Sequence, residues 1–239
     1  MPALLFVYSD PGTAVPDATF NDWADNEHVP LRVAIPGFET WSRWIAADGE
    51  SPPYTTLYGI ASPEVLSSPP YTDLAKTRSE RETAIVSKLA LLDRRTYTLR
   101  EPVYPPKNGA AYDPLKPGPY MSVVEIEVKE GAEDEFNKWY DEEHVPMLAK
   151  VPGWMRSRRF VLEAAGATGS EAADVGRPPK YLAIHEWESL AALETDELKE
   201  AVSTSWMAKL VETAFVEERR RAFKFMRSWD REQGGTPIV

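Results

Sequence analysis

Two of the three histidines in this chain sit inside the same phrase, NEHVPLRVAIPGF from Asn26 and EEHVPMLAKVPGW from Glu142. Histidine is the side chain that gives and takes a proton near neutral pH. At helical spacing Asp25 lies three residues before His28, and Asp141 three before His144, on the same helix face. A carboxylate there would fix the imidazole tautomer and raise its basicity, as an orienting residue does for a general base. Pro30 and Pro146 lack an amide donor, and a kink at each would turn the imidazole toward a cavity between helix and sheet. The third histidine, His185, falls where the first half of the chain has Tyr58. Strand alternation puts Tyr181, Ala183, His185 and Trp187 on one face, and Tyr54, Thr56, Tyr58 and Ile60 on its equivalent. An apolar, aromatic face with one polar group suits an aromatic ligand. The expected catalytic set is therefore His28, His144, His185, Asp25, Asp141 and Tyr58. Trp23, Trp139, Arg43 and Arg159 are the expected substrate contacts, the arginines for an anionic group. Each has a plainer alternative: tryptophan as core anchor, histidine tied to a backbone carbonyl, arginine in a salt bridge.

The elements that must position these residues occur twice. With residue n set against n+116, Phe20, Asn21, Trp23, Asp25, Glu27, His28, Val29, Pro30, Pro36 and Gly37 all meet identical residues. The register extends back to ALLFVYS (residues 3–9) against PYMSVVE (119–125). It runs forward to FETWSRWIA (38–46) against WMRSRRFVL (154–162). An Ala/Gly-rich insertion of eleven residues, read as a mobile loop, then moves the offset to 127, where PYTTLYGI meets KYLAIHEW and RTYTLR meets AFKFMR. Each copy reads strand, helix, strand, strand, helix, strand, the split βαβ of a ferredoxin-like unit. The first helix is expected over about residues 17–34 and 133–150, the second over about 71–93 and 190–219. The predicted domains are residues 1–103 and 119–239, joined by a Pro-rich linker at 104–118. Strands apolar on both faces predict that the two sheets pack face to face, a pseudo-dimer within one chain that could itself pair further.

The order Trp-x4-His-x-Pro-x5-Pro-Gly, at residues 23–37 and 139–153, resembles the dimeric α/β-barrel superfamily. It is most similar to the EthD-like branch. That resemblance implies an α+β fold of two ferredoxin-like units forming an intramolecular dimeric α/β barrel. It also implies a menu of chemistries: polyketide dehydratases and cyclases, muconolactone-type isomerases, cofactor-free quinol monooxygenases, haem-degrading oxygenases, and members with no assigned activity.

Composition narrows the menu. A net charge of −11 argues against a nucleic-acid partner. The absence of cysteine removes disulfides, thiolate metal sites and a cysteine nucleophile. No His-x-His or His-Glu-x-x-His occurs, so no metal is expected, and no glycine-rich phosphate loop suggests a nucleotide. The apolar run MPALLFVYS is too short for a signal peptide or membrane span, so a cytoplasmic location without membrane contact is expected. The leading expectation is a cofactor-independent acid–base enzyme acting on a small apolar or aromatic, polyketide-like molecule. A non-catalytic ligand-binding or stress-associated module and a cofactor-free or haem-dependent monooxygenase are the alternatives.

Overall fold

The computed structural model describes residues 2–232 and 236–238. Strands form where β-branched and aromatic residues concentrate. They are β1 Ala3–Asp10, β2 Phe38–Ala46, β3 Tyr54–Ile60, β4 Leu91–Leu99, β5 Tyr120–Val128, β6 Trp154–Thr168, β7 Tyr181–Trp187, β8 Phe215–Asp230 and β9 Thr236–Ile238. The helices are short. They are α1 Asp17–Trp23, α2 Val29–Val33, α3 Pro69–Thr72, α4 Glu80–Val86, α5 Glu133–Trp139, α6 Val145–Leu148, α7 Asp196–Ala201 and α8 Ser205–Thr213.

The strand order is β2-β3-β1-β4-β6-β7-β5-β8-β9, and β2 also pairs with β8. This corrects the expectation of two separate ferredoxin-like sheets packed face to face. The strands make one sheet, and eight of them close a hydrogen-bonded ring through β2 and β8. Strand length is the physical reason. β6 and β8 run for 15 and 16 residues against 7 in β3 and β7, so each has a far half left to pair elsewhere. Pairing those halves satisfies edge amides and carbonyls that would otherwise stay open.

The second helix of each half is also shorter than its sequence pattern suggested. Pro69 and Pro70 open a single turn, α3, and the chain restarts a helix only at α4, where the Ser79 hydroxyl caps it by accepting from Glu82 N. In the second half, Thr195 and Thr204 cap α7 and α8, their hydroxyls accepting from Leu198 N at 3.3 Å and Met207 N at 3.1 Å. β8 then starts at Phe215, where exposure begins to alternate residue by residue.

The chain divides into two compact units, of residues 1–99, 162–177 and 225–239, and of residues 100–161 and 178–224. In the first, β1 lies between β3 and β4, and Leu5 stands opposite both Tyr58 and Thr96. Phe20 and Trp23 of α1 pack with Tyr54, Ile85 and Leu89, each large side chain contributing about 1.5–3 kcal/mol by leaving water. The insertion expected as a mobile loop instead extends β6 to Thr168. Gly169 turns it with φ +116°, and Ser170 N and Glu171 N donate to Leu89 O and Ala90 O at 3.2 and 2.9 Å.

In the second unit β5 lies between β7 and β8, with His185 opposite Ser122 and Ser157 across the neighbouring strands. All seven residues of β7 are buried. Phe136, Trp139 and Tyr140 pack on Tyr181, Ala183 and Leu210. The Pro-rich segment is fastened to this unit: Lys107 N donates to Met155 O at 2.8 Å, and the Tyr112 hydroxyl donates to Glu186 at 2.6 Å.

Candidate active site

The repeated phrase adopts a π-helix in each half, Ala24–His28 and Tyr140–His144. A π turn bonds i to i+5, so residues five apart come to share a face. Trp-x4-His is that spacing. The Trp23 and His28 rings lie 4.4 Å apart and inclined at 50°; Trp139 and His144 also lie 4.4 Å apart, inclined at only 26°.

The same widening carries each aspartate, three residues back, away from its histidine. Asp25 accepts from Arg43, and from Arg227 at 2.9 Å. Asp141 accepts from Arg100 at 3.1 Å, Arg159 at 3.2 Å and the Tyr104 hydroxyl. Arg43 and Arg159 also donate to Asn21 and Asn137, at 2.8 and 2.7 Å. Both arginines are buried, so in each half they pin the first helix to the sheet. Trp23 and Trp139 are buried beside their histidines.

His28 is held by a residue that sequence reasoning missed. Its Nδ1 lies 2.8 Å from Glu82 Oε1 on α4. Burial pushes His28 down to about 3, Arg32 adds to that, and the bond to Glu82 pulls the other way. Burial raises Glu82, yet the His28 bond and nearby Arg32 and Arg78 outweigh it and hold the carboxyl below its ordinary range. An ionised carboxylate only accepts, so Nδ1 carries the proton and Nε2 keeps its lone pair. The sequence signal was the Ser79-x-x-Glu82 start of α4, where the Ser79 hydroxyl accepts from Glu82 N at 2.9 Å while the carboxylate reaches His28 instead of back to Ser79.

In the second unit His144 Nδ1 donates to Ala201 O at 3.2 Å, which again leaves Nε2 as a bare acceptor. Burial is the main cause of its fall to about 4. His185 faces it across 6.3 Å between ring centroids, with planes at 79°. Ser157 Oγ accepts from Trp154 Nε1 at 2.9 Å and lies 2.8 Å from His185 Nδ1. Where the Ser157 hydroxyl donates to Nδ1, His185 Nε2 is an N–H donor; where Nδ1 donates to Ser157, Nε2 is an acceptor. That Nε2 is buried and has no hydrogen-bond partner. Burial, then the charges of His144, Arg159 and Arg220, push His185 down to about 3. At neutral pH both imidazoles are thus uncharged. Ser157 gave no signal in the sequence, because its counterpart 116 residues earlier is Trp41.

Tyr58 occupies the His185 position in the first unit. It pairs across the sheet with Leu5 and Trp41, and Phe38 meets its ring edge-on at 5.7 Å. Burial pushes its phenol up to about 12, so it remains an O–H donor.

Among the described residues no group of three His, Cys, Asp or Glu side chains is placed to hold a metal ion. No described helix is long and apolar enough to cross a membrane.

No family model matches the chain, and no curated protein matches it by sequence. Solved structures do. An anthrone oxidase-like protein superimposes with a TM-score of 0.65 at 12% identity, covering 100% of this chain and 96% of its own. A candidate monooxygenase from Lactobacillus acidophilus NCFM gives 0.56 at 11% identity, covering 100% and 99%. A candidate chlorite dismutase gives 0.56 at 18% identity, covering 94% of each chain. This chain shares the fold of these three proteins.

Proposed function

We propose that the chain is a cofactor-independent acid–base enzyme for a small apolar or aromatic molecule bearing a carbonyl or phenol group. The observation that carries this reading is the Nε2 of His185, unpartnered in a residue 2% exposed, beside the imidazole of His144, and we assign it the ring proton. Leaving a buried donor unpaired costs about 1–3 kcal/mol, which a ligand oxygen would recover. His144 Nε2 would take the proton from a carbon next to a carbonyl, while His185 donates a hydrogen bond to the oxygen that gains charge. Returning that proton elsewhere on the molecule completes an isomerisation; expelling hydroxide as water completes a dehydration. His28 and Tyr58 supply an acceptor and a donor of the same kinds in the first unit. General acid–base groups of this type contribute about 10²–10⁴-fold in rate.

Anthrone is a suitable probe, since its carbon acid lies across a ring from a carbonyl. In D2O the protein should catalyse exchange of the anthrone methylene protons above the buffer rate; no catalysed exchange of anthrone or of a small set of aromatic ketones would favour a binding module.

The likeness to an anthrone oxidase-like protein and a candidate monooxygenase favours a second reading. After the same deprotonation, O2 would accept electrons from the enolate. The methylene carbon would lose two hydrogens and gain one oxygen, and the second oxygen atom would leave as water. Oxygen uptake accompanying exchange supports this oxygenase reading; exchange without uptake supports the first.

A further inference from the structure

A cleft of about 270 Å³ opens on the first unit, with no histidine in its lining. Leu5 of β1 and Leu66 make an apolar floor, and Tyr71 makes a wall. Tyr71 is held in place by stacking on Phe38, ring centroids 5.7 Å apart and planes at 26°. Thr96 of β4 is the register partner of Leu5, and Arg94, two residues earlier, shares its face. Residues 164–166 of the extended β6 close the remaining side.

Arg94 makes no ion pair or hydrogen bond among the described residues, although the chain carries a net charge of −11. Glu163, the acid beside this cleft on β6, instead accepts the Thr98 hydroxyl at 2.7 Å. An apolar slot with an aromatic wall and one uncommitted guanidinium has the make-up of a site for a planar acid. Guanidinium matches a carboxylate through two parallel N–H bonds, which a lysine cannot do.

We infer that this cleft binds a small aromatic carboxylate, its ring against Leu5, Leu66 and Tyr71 and its carboxylate on Arg94, with the Thr96 hydroxyl as a further donor. The inference goes beyond the acid–base reading, because it uses none of those groups. The test is calorimetric titration of the full chain with 2-naphthoate and with neutral 2-naphthylmethanol. Naphthoate should bind, and Arg94→Gln should weaken it about 10-fold or more, the scale of a lost charged hydrogen bond. Arg94→Lys should fall between. Naphthylmethanol should respond little to Arg94→Gln, and His144→Gln should leave naphthoate affinity unchanged. Failure of naphthoate to bind, an unchanged affinity in Arg94→Gln, equal weakening of both ligands, or loss of binding in His144→Gln would each overturn the assignment.

Discussion

Trp139 and His144 stack with ring centroids 4.4 Å apart and planes 26° from parallel, five residues apart in the chain. An α-helix would bring residues four apart onto one face. The π segment Tyr140–His144 instead sets the imidazole on the indole, and turns Asp141 toward Arg159 at 3.2 Å. His144 Nδ1 is then left to the Ala201 carbonyl, which keeps Nε2 as the acceptor of the ring.

Trp139 is therefore both anchor and support. It is 1% exposed and packs with Phe136, Tyr140 and Phe215. Trp139→Ala should cost about 3–5 kcal/mol in urea unfolding, the range for truncating a large core aromatic. By opening the space above the imidazole it should also raise the His144 pKa from about 4 toward the ordinary value, followed by NMR. An unchanged titration would show that the stack does not bury the ring.

Glu82 and Asp25 should separate cleanly. Glu82→Gln replaces the carboxylate that fixes the Nδ1–H form of His28, so ¹⁵N shifts of the imidazole should report a mixture of tautomers. Asp25→Asn should leave those shifts alone. It removes the partner of buried Arg43 and should cost about 3–5 kcal/mol.

How much of this was legible in the sequence follows from the same residues. The duplicated phrase was visible because Trp, His, Pro and Pro-Gly recur in register, and strand parity was visible because period two survives any fold. The pairing of Asp25 with His28 was read from a 3.6-residue period, and the π segments depart from it. Glu82 is separated from His28 by 54 residues, a contact no local pattern encodes. Closure of the sheet was missed for a related reason. The stretch EAAGAT looks like loop by composition, and only the partner strand beside it makes it β6.

Gly169 tests that closure. Its φ of +116° is hostile to any side chain, and a Cβ there would meet Ala90 O at 2.4 Å. Gly169→Ala should lower stability by about 1–3 kcal/mol, the range for a residue forced into a sparsely populated conformation. Hydrogen exchange should show faster loss of protection at Ser170 and Glu171, whose amides bond to Leu89 O and Ala90 O. Exchange unaltered at both amides would mean the turn does not hold β6 in place.

Acid should destabilise the protein through its histidines. Unfolded imidazoles take a proton near pH 6.5, whereas His28 and His185 hold off until about 3 and His144 until about 4. Between pH 6.5 and 3 the unfolded chain thus binds more protons. Stability falls as pH falls through that window and levels off below it. Glu82, held low in the fold, pulls in the same direction. The histidine share is isolated by comparing wild type with His185→Gln: the variant should lose stability less steeply between pH 6.5 and 4. Parallel curves would contradict a neutral, buried His185.

The most direct test of the acid–base reading is the rate of anthrone methylene exchange in D2O for the double variant His28→Gln/His144→Gln, with native circular dichroism confirmed first. The account predicts a loss of catalysed exchange of about 10²-fold or more relative to wild type, since both acceptor nitrogens are gone. A folded double variant that exchanges anthrone at the wild-type rate would contradict it.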